Sequence, residues 1–211
     1  TSKHIITYDQ NSNQFNFNDT IEDTIKWYDT YYNDGNVYKE SIDQINKIKR
    51  EDVIKILTAS GVWPNIIQRP FGLVADPSQK PKAIHISFFD TSPLAPSYSF
   101  MYKEDISFIK AGLNIIKKLT DGKVHLNHNS ESIKDFNIDG FENNLFSGPH
   151  PTGNVGIQIH HIKPLKPGQI IWTVNAQHVL TIGRLFQRGF YDPRIKVSIG
   201  GSGATNPQVV D

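Results

Sequence analysis

The stretch SGPHPTGNVGIQIHHI, Ser147 to Ile162, gathers three histidines, two prolines and three glycines within sixteen positions. Residues of these types could form a phosphate cradle, a metal site, or only a sharp connection between a strand and a helix. Gly148-Pro-His-Pro-Thr-Gly153 matches the first six positions of the phosphate-loop pattern GxxxxGK[ST]. Asn154 and Val155 then stand where the lysine and the magnesium-binding hydroxyl belong. Pro149 and Pro151 also lack the N–H groups that a cradle aims at phosphate. A nucleotide phosphate loop is therefore not expected. A polar or anionic ligand at the N-terminus of the following helix stays open, because the first N–H groups of a helix have no partner within it.

Metal chemistry fares no better. His160 and His161 are adjacent, so they diverge by about 100° on a helix. His125 and His128 are three apart in a strand, which points them to opposite faces. His150 lies between two prolines that restrict its backbone. No HExxH pattern occurs, and a functional metal site is not expected. A Ser–His–acid set finds no GxSxG elbow: Ser147 precedes Gly-Pro and Ser130 lies in a polar loop.

Alternating elements must position these groups. KREDVIKILTASG reads as a helix with Val53, Ile54, Leu57 and Thr58 on one face and Gly61 as its stop. KAIHISFFD, Lys82 to Asp90, reads as a buried strand, and EDISFIKAGLNIIKKLTDG as a helix with Ile109, Gly112, Leu113, Ile116 and Leu119 on its apolar face. Its acidic first turn and Lys117-Lys118 near its end suit the helix dipole. KVHLNH and ENNLFSG supply two further strands, NVGIQIHHI a short helix, and QIIWTV a fourth strand. NAQHVLTIGRLFQRG follows as a helix with Asn175 as N-cap, then RIKVSI as a fifth strand. Strands alternating with helices predict a Rossmann-like α/β domain over 48–211, its mainly parallel sheet covered on both faces.

Residues 1–47 differ in composition, being rich in Asn, Asp and Tyr. Ile5, Tyr8, Phe15 and Phe17 suggest short strands and Asn33-Asp34-Gly35 a turn, so this part reads as an extension or the edge of a neighbouring domain. The chain opens without methionine and ends at NPQVVD, and it reads as a trimmed piece of a longer protein.

Composition sets outer bounds. The 211 residues contain no cysteine, which excludes disulfides, thiolate zinc and ordinary iron–sulfur ligation within them. Twenty-two basic and twenty-one acidic residues leave a net charge of +1, so nucleic acid is not an expected partner. No apolar run approaches the roughly 20 residues of a membrane span.

Ligands of open α/β sheets sit outside the carboxyl ends of the strands. That directs attention to FFDTSPLAP, Phe88 to Pro96, and to the histidine-rich loop. Candidate contacts for a quinone or polar ligand there are Asp90, Thr91, Phe146, Gly148, His150, Thr152, Gly153 and Asn154. His150, Thr152 and the Gly153 and Asn154 N–H groups would serve as donors, and Phe88, Phe89, Phe146 and Trp172 as apolar walls or as ordinary core. The glycine-rich IGGSGATNP, Ile199 to Pro207, reads as an exit loop.

SGPHPTGNVGIQIHHI, IIWTVNAQHVLTIGRLFQRG, NPQVV, ASGVWPNIIQRPF, FFDTSPLAP and KAGLNIIKKLTDGKV together resemble the family of the A subunit of the sodium-translocating NADH:quinone oxidoreductase, over roughly 48–211. The resemblance implies a membrane-peripheral polypeptide on the cytoplasmic face of a bacterial inner membrane. Its complex passes electrons from NADH to quinone and exports sodium; NADH, FAD, FMN and iron–sulfur centres would lie in other subunits. It implies those subunits as partners, with ubiquinone or menaquinone as a ligand. Whether the chain is an enzyme by itself stays open. Relatives such as the flavin-binding subunit of complex I and the C subunit of the Rnf complex bind FMN and NADH at a glycine-rich loop after the first helix. Here that place reads ASGVWPNIIQRPFGLVAD, with Val62, Trp63, Pro64 and Ile66 where glycines would admit a flavin phosphate. No cofactor is therefore expected in this chain and no catalytic residue is assigned; a flavin- or NADH-binding electron-transfer domain is the alternative. Ser202-Gly-Ala-Thr205 resembles a covalent flavin-attachment motif but lacks its upstream acid. An unrelated hydrolase or transferase finds no catalytic set.

Overall fold

A computed structural model of the chain describes residues 7–9, 14–16 and 47–210. The chain divides into two compact units, Thr1–Tyr38 and Lys39–Asp211. In the first, β1 (Thr7–Asp9) and β2 (Gln14–Asn16) pair antiparallel with Tyr8 opposite Phe15, as the aromatic spacing suggests. The expectations for Ile5, Phe17 and the Asn33-Asp34-Gly35 turn lie outside the described residues.

The second unit opens with α1 (Arg50–Ala59), which Gly61 ends with φ of 74°. Its buried face is Val53, Ile56, Leu57 and the following Ser60, not the expected Ile54 and Thr58. Thr58 instead turns its hydroxyl back onto the Ile54 carbonyl at the surface. A 3-10 turn, Trp63–Asn65, leads into β3 (Ile66–Arg69) and β4 (Leu73–Val74). Then come β5 (Ala83–Ser87), α2 (Tyr98–Tyr102), a 3-10 turn (Lys103–Asp105), α3 (Ile106–Lys117) and β6 (Lys123–His128). The remainder is α4 (Ile133–Phe136), β7 (Glu142–Leu145), α5 (Val155–Ile162), β8 (Ile171–Asn175), α6 (Ala176–Arg188), β9 (Val197–Ile199) and β10 (Gln208–Val210).

The main sheet has six strands in the order β4-β3-β8-β5-β6-β7. Strands β8, β5, β6 and β7 are parallel, and β3 and β4 add antiparallel strands beside β8. The fold is therefore α/β with a mainly parallel sheet. Two strand assignments differ from the sequence reading. Ala59–Asp76, read as the turn where relatives keep a glycine-rich flavin loop and this chain has bulky residues, folds into the 3-10 turn and the β3–β4 hairpin, with Gly72 at φ of 71° at its tip. RIKVSI contributes only β9, which pairs with β10 in a separate hairpin and not with the main sheet. The glycine-rich Ile199–Pro207 segment is the loop of that hairpin.

The two faces of the sheet are chemically unlike. Ile84, Ile86, Val124, Leu126, Trp172 and Val174 share one face by the parallel register and are buried. Helices α3 and α6 cover this face, packed along each other. They approach closely because Gly112 and Gly183 meet at the crossing. A Cβ on Gly112 would lie 2.1 Å from the Val179 carbonyl oxygen, and one on Gly183 would lie 1.8 Å from that of Phe108. The opposite face carries His85, Ser87, His125, Asn127 and Thr173. Among the described helices only α5 lies over it, setting Ile159 against Ala83 and Ile171.

Asp105 holds the N-cap position of α3, as its acidic start suggests, and is buried there, 3.1 Å from Arg184 of α6 and 3.1 Å from Lys196. Asp192 binds Arg188 and Arg194 at 2.7 Å each. These pairs fasten the segment after α6 to the helical layer.

Candidate functional site

In sequence order, the four parallel strands lie third, second, first, fourth across the sheet. The chain leaves β5 toward β6 on one side and later returns to β8 on the other. The helices that follow β5 and β8, α3 and α6, lie on the same face, so the opposite face is left open at the carboxyl ends of these two strands, where ligands of such sheets sit. A cleft of about 520 Å³ lies there. Its floor is Ile67, Arg69, Ser87 and Thr173, all from the face that the eight-residue α5 is too short to cover. Phe89, Tyr98, Pro64 and Val155 form walls, with Asn65, Asp90, Asn154, Asn175 and His178 at the polar positions.

Two helices begin at this cleft. Asn175 is the last residue of β8 and caps α6 by accepting a bond from the Gln177 N–H at 2.9 Å. Asn154 precedes α5, and its side chain makes no cap bond. Both N-termini present the positive end of the helix dipole to the cleft.

A buried amide chain anchors α5. Asn144 Nδ2 donates to Asn127 Oδ1 at 3.1 Å, and Asn127 Nδ2 donates to Gln158 Oε1 at 2.8 Å. Gln158 Nε2 donates to Ser87 Oγ at 2.9 Å and to the Thr152 carbonyl at 3.1 Å. Ser87 in turn donates to the Phe89 carbonyl at 2.9 Å. One glutamine thereby ties the helix, the histidine-rich loop and two strands together. Beside this chain, His85 stacks on His125 with ring centroids 4.4 Å apart. Burial, followed by the neighbouring His125, pushes His85 down to about 3, so its ring is neutral at physiological pH.

Electrostatics in the cleft follow from burial and hydrogen bonding. Burial, and then the Asp90 charge, raises the Tyr98 phenol, which stays protonated and able to donate. Burial lowers His178, leaving it neutral. For Asp90, burial acts upward but is outweighed by hydrogen bonds from Ser92 and the Thr91 N–H, and then by the electrostatic influence of His150, so the carboxyl lies below its ordinary range. Its Oδ1 accepts the Ser92 N–H and Oγ, each at 2.8 Å.

The expected contact residues separate into two groups. Asp90, Gly153 and Asn154 line the cleft. Thr91, Gly148, His150 and Thr152 instead build the loop beside it. Thr91 Oγ1 accepts the Gly153 N–H at 2.9 Å and lies 3.3 Å from His150 Nδ1. The Asn154 N–H donates to the Pro151 carbonyl at 2.8 Å, and the Thr152 hydroxyl donates to that of Pro149 at 2.6 Å. The Gly153, Asn154 and Thr152 donors expected for a ligand are therefore spent within the loop. Gly153 is required there, since a Cβ would lie 2.5 Å from the Thr91 nitrogen. Phe146 stacks on Phe89 at 6.4 Å, outside the cleft lining. Phe88 and Trp172 are core residues, stacked on Phe136 and edge-on to Trp63 respectively. Val62, Trp63 and Ile66 are also buried in the core, with Trp63 Nε1 bonded to the Ala75 carbonyl at 2.8 Å. Of the four bulky residues read as replacing the glycines of a flavin loop, Pro64 alone lines the cleft.

The sequence reading missed Arg69, Tyr98, Asn65 and His178. The alternation Ile67, Arg69 in IIQR signals a half-covered strand, but it stood inside a segment read as a turn. As expected, His125 and His128 face opposite sides of the sheet: His125 stacks on His85, whereas His128 bonds Asn143 at 2.9 Å and stacks on Phe88.

The family described as NqrA second alpha/beta domain matches residues 48–191. The chain belongs to this family. The NqrA-type chain is 35% identical over 170 residues to the A subunit of the Na(+)-translocating NADH-quinone reductase of Tolumonas auensis, covering 80% of this chain and 38% of that one. It is 36% identical over 169 residues to the polypeptide of the same name from Photorhabdus laumondii, covering 79% and 38%. With its Neisseria meningitidis namesake it shares 32% identity over 169 residues, covering 80% and 38%. The NqrA-type chain thus spans 38% of the length of these curated relatives. Among the described residues, no helix is long and apolar enough to cross a membrane.

Proposed function

We propose that this chain supplies an α/β domain of the A subunit in a sodium-translocating NADH-quinone reductase, and that the cleft at its strand ends receives a quinone head group. The reading is supported by the cleft itself: about 520 Å³ at the carboxyl ends of β5 and β8, with Phe89 and Val155 among its apolar lining. A quinone ring needs an apolar slot and donors for two carbonyl oxygens. The protonated Tyr98 phenol, the neutral His178 and the Asn154 side-chain amide are donors among its lining residues. In this reading the redox groups reside in other subunits and the domain sits peripherally, against the cytoplasmic face of the membrane part. Packing of Val62, Trp63 and Ile66 into the core supports the absence of a flavin site after α1.

A short-tailed soluble quinone titrated into the chain should bind saturably, with NMR shifts clustered at Asn65, Phe89, Tyr98 and His178. Tyr98→Phe should weaken binding about fivefold by removing one donor, while the exposed His160→Ala leaves it unchanged. Absent shifts, or shifts remote from the cleft, would remove the assignment. A yellow preparation with stoichiometric FMN would favour the electron-transfer alternative.

A further inference from the structure

One cation of the cleft has no neutralising partner among the described residues. Arg69 projects from the uncovered face of β3 into the floor of the cleft. Among the described residues its guanidinium makes no ion pair, and its Nε is shielded from solvent without a hydrogen-bond partner. A shielded N–H donor without an acceptor is costly, so this arrangement calls for an acceptor that arrives from outside.

The one carboxylate lining the same cleft does not fill that need. Asp90 spends its Oδ1 on Ser92 and forms no ion pair with Arg69. The other lining groups are neutral amides, hydroxyls and the His178 imidazole. The starts of α5 and α6 add positive potential of the same sign. We infer that Arg69 determines the specificity of the cleft, selecting a ring ligand that bears an ionised oxygen over its neutral counterpart. This rests on the quinone reading above and adds the charge state of the ligand. A planar, always-charged fork suits an oxyanion attached to a ring better than the point charge of a lysine would.

The test compares menadione, which is neutral, with 2-hydroxy-1,4-naphthoquinone, which is ionised at neutral pH, and with inorganic phosphate. Binding to the 211-residue chain is followed by calorimetry and NMR. The hydroxynaphthoquinone should bind about tenfold or more tighter than menadione. Arg69→Gln should abolish that preference, the hydroxynaphthoquinone losing more affinity than menadione, and Arg69→Lys should restore only part of it. Circular dichroism and thermal melting establish that each variant folds. If Arg69→Gln does not fold, the preference is tested in wild type at neutral pH with 2-methoxy-1,4-naphthoquinone, which cannot ionise and should bind no tighter than menadione. Equal affinities for the two naphthoquinones overturn the Arg69 inference and leave the cleft reading standing. Binding of neither overturns both. Binding of phosphate alone, lost in Arg69→Gln, also overturns the proposal, because the cleft would then be a simple anion site without a ring ligand.

Discussion

At the residue scale, the histidines decide pH behaviour through burial and not through metal or acid–base chemistry. His85, 3% exposed, is pushed down to about 3 by desolvation, and burial lowers His125, His128 and His178 in the same direction. In the unfolded chain a histidine protonates near pH 6.5. The unfolded state therefore takes up protons first, and stability is full above about 6.5 and falls as the pH drops toward 3. The carboxylates with lowered values, such as Asp90 and Asp192, contribute only near and below pH 4. Urea midpoints should thus decline between pH 7 and pH 5, and His85→Phe should flatten that decline. Gln158 is the second critical residue. Gln158→Ala strands Asn127 Nδ2 beneath α5 and should cost about 2–3 kcal/mol, measurable in the same urea experiment.

At the element scale, the domain depends on the crossing of α3 and α6. Gly112→Ala or Gly183→Ala would place a methyl group against a backbone carbonyl that cannot rotate away. Either should destabilise by about 3 kcal/mol or more, seen as a fall in thermal midpoint. Gly156 in α5 is the contrast, since a Cβ there meets open space. Gly156→Ala should stabilise by about 0.5 kcal/mol through helix propensity alone. The apolar face of α3 was legible in the sequence because Ile109, Leu113 and Ile116 recur at helical spacing. The glycine contact was not legible, because spacing within one helix says nothing about which helix it will cross.

At the scale of the whole molecule, an ion-pair network joins α6, the start of α3 and the segment leading to β9. Asp105→Ala would leave Arg184 buried with Asp192 at 3.9 Å as its remaining carboxylate. It should cost about 3 kcal/mol and broaden the thermal transition. The sequence placed Asp105 at the helix start, where it is the N-cap, but adjacency to a helix start does not reveal a partner 79 positions away. By contrast, the alternation of buried strands and amphipathic helices sufficed for the α/β class, because burial on a layered sheet imposes those periods locally. Ordered motifs along the chain likewise sufficed for the family. Chain order also made the loops after β5 and before α5 recognisable as neighbours of a ligand crevice. What tertiary structure alone decided was the inventory of that crevice. The β3–β4 hairpin had to fold back beside β8 before Arg69, Asn65 and Ile67 could reach it, and the Gly153 and Asn154 donors had to be consumed within their own loop. Register and hydrogen-bond partnership are settled between distant segments, and the residues at either end carry no local mark of the choice.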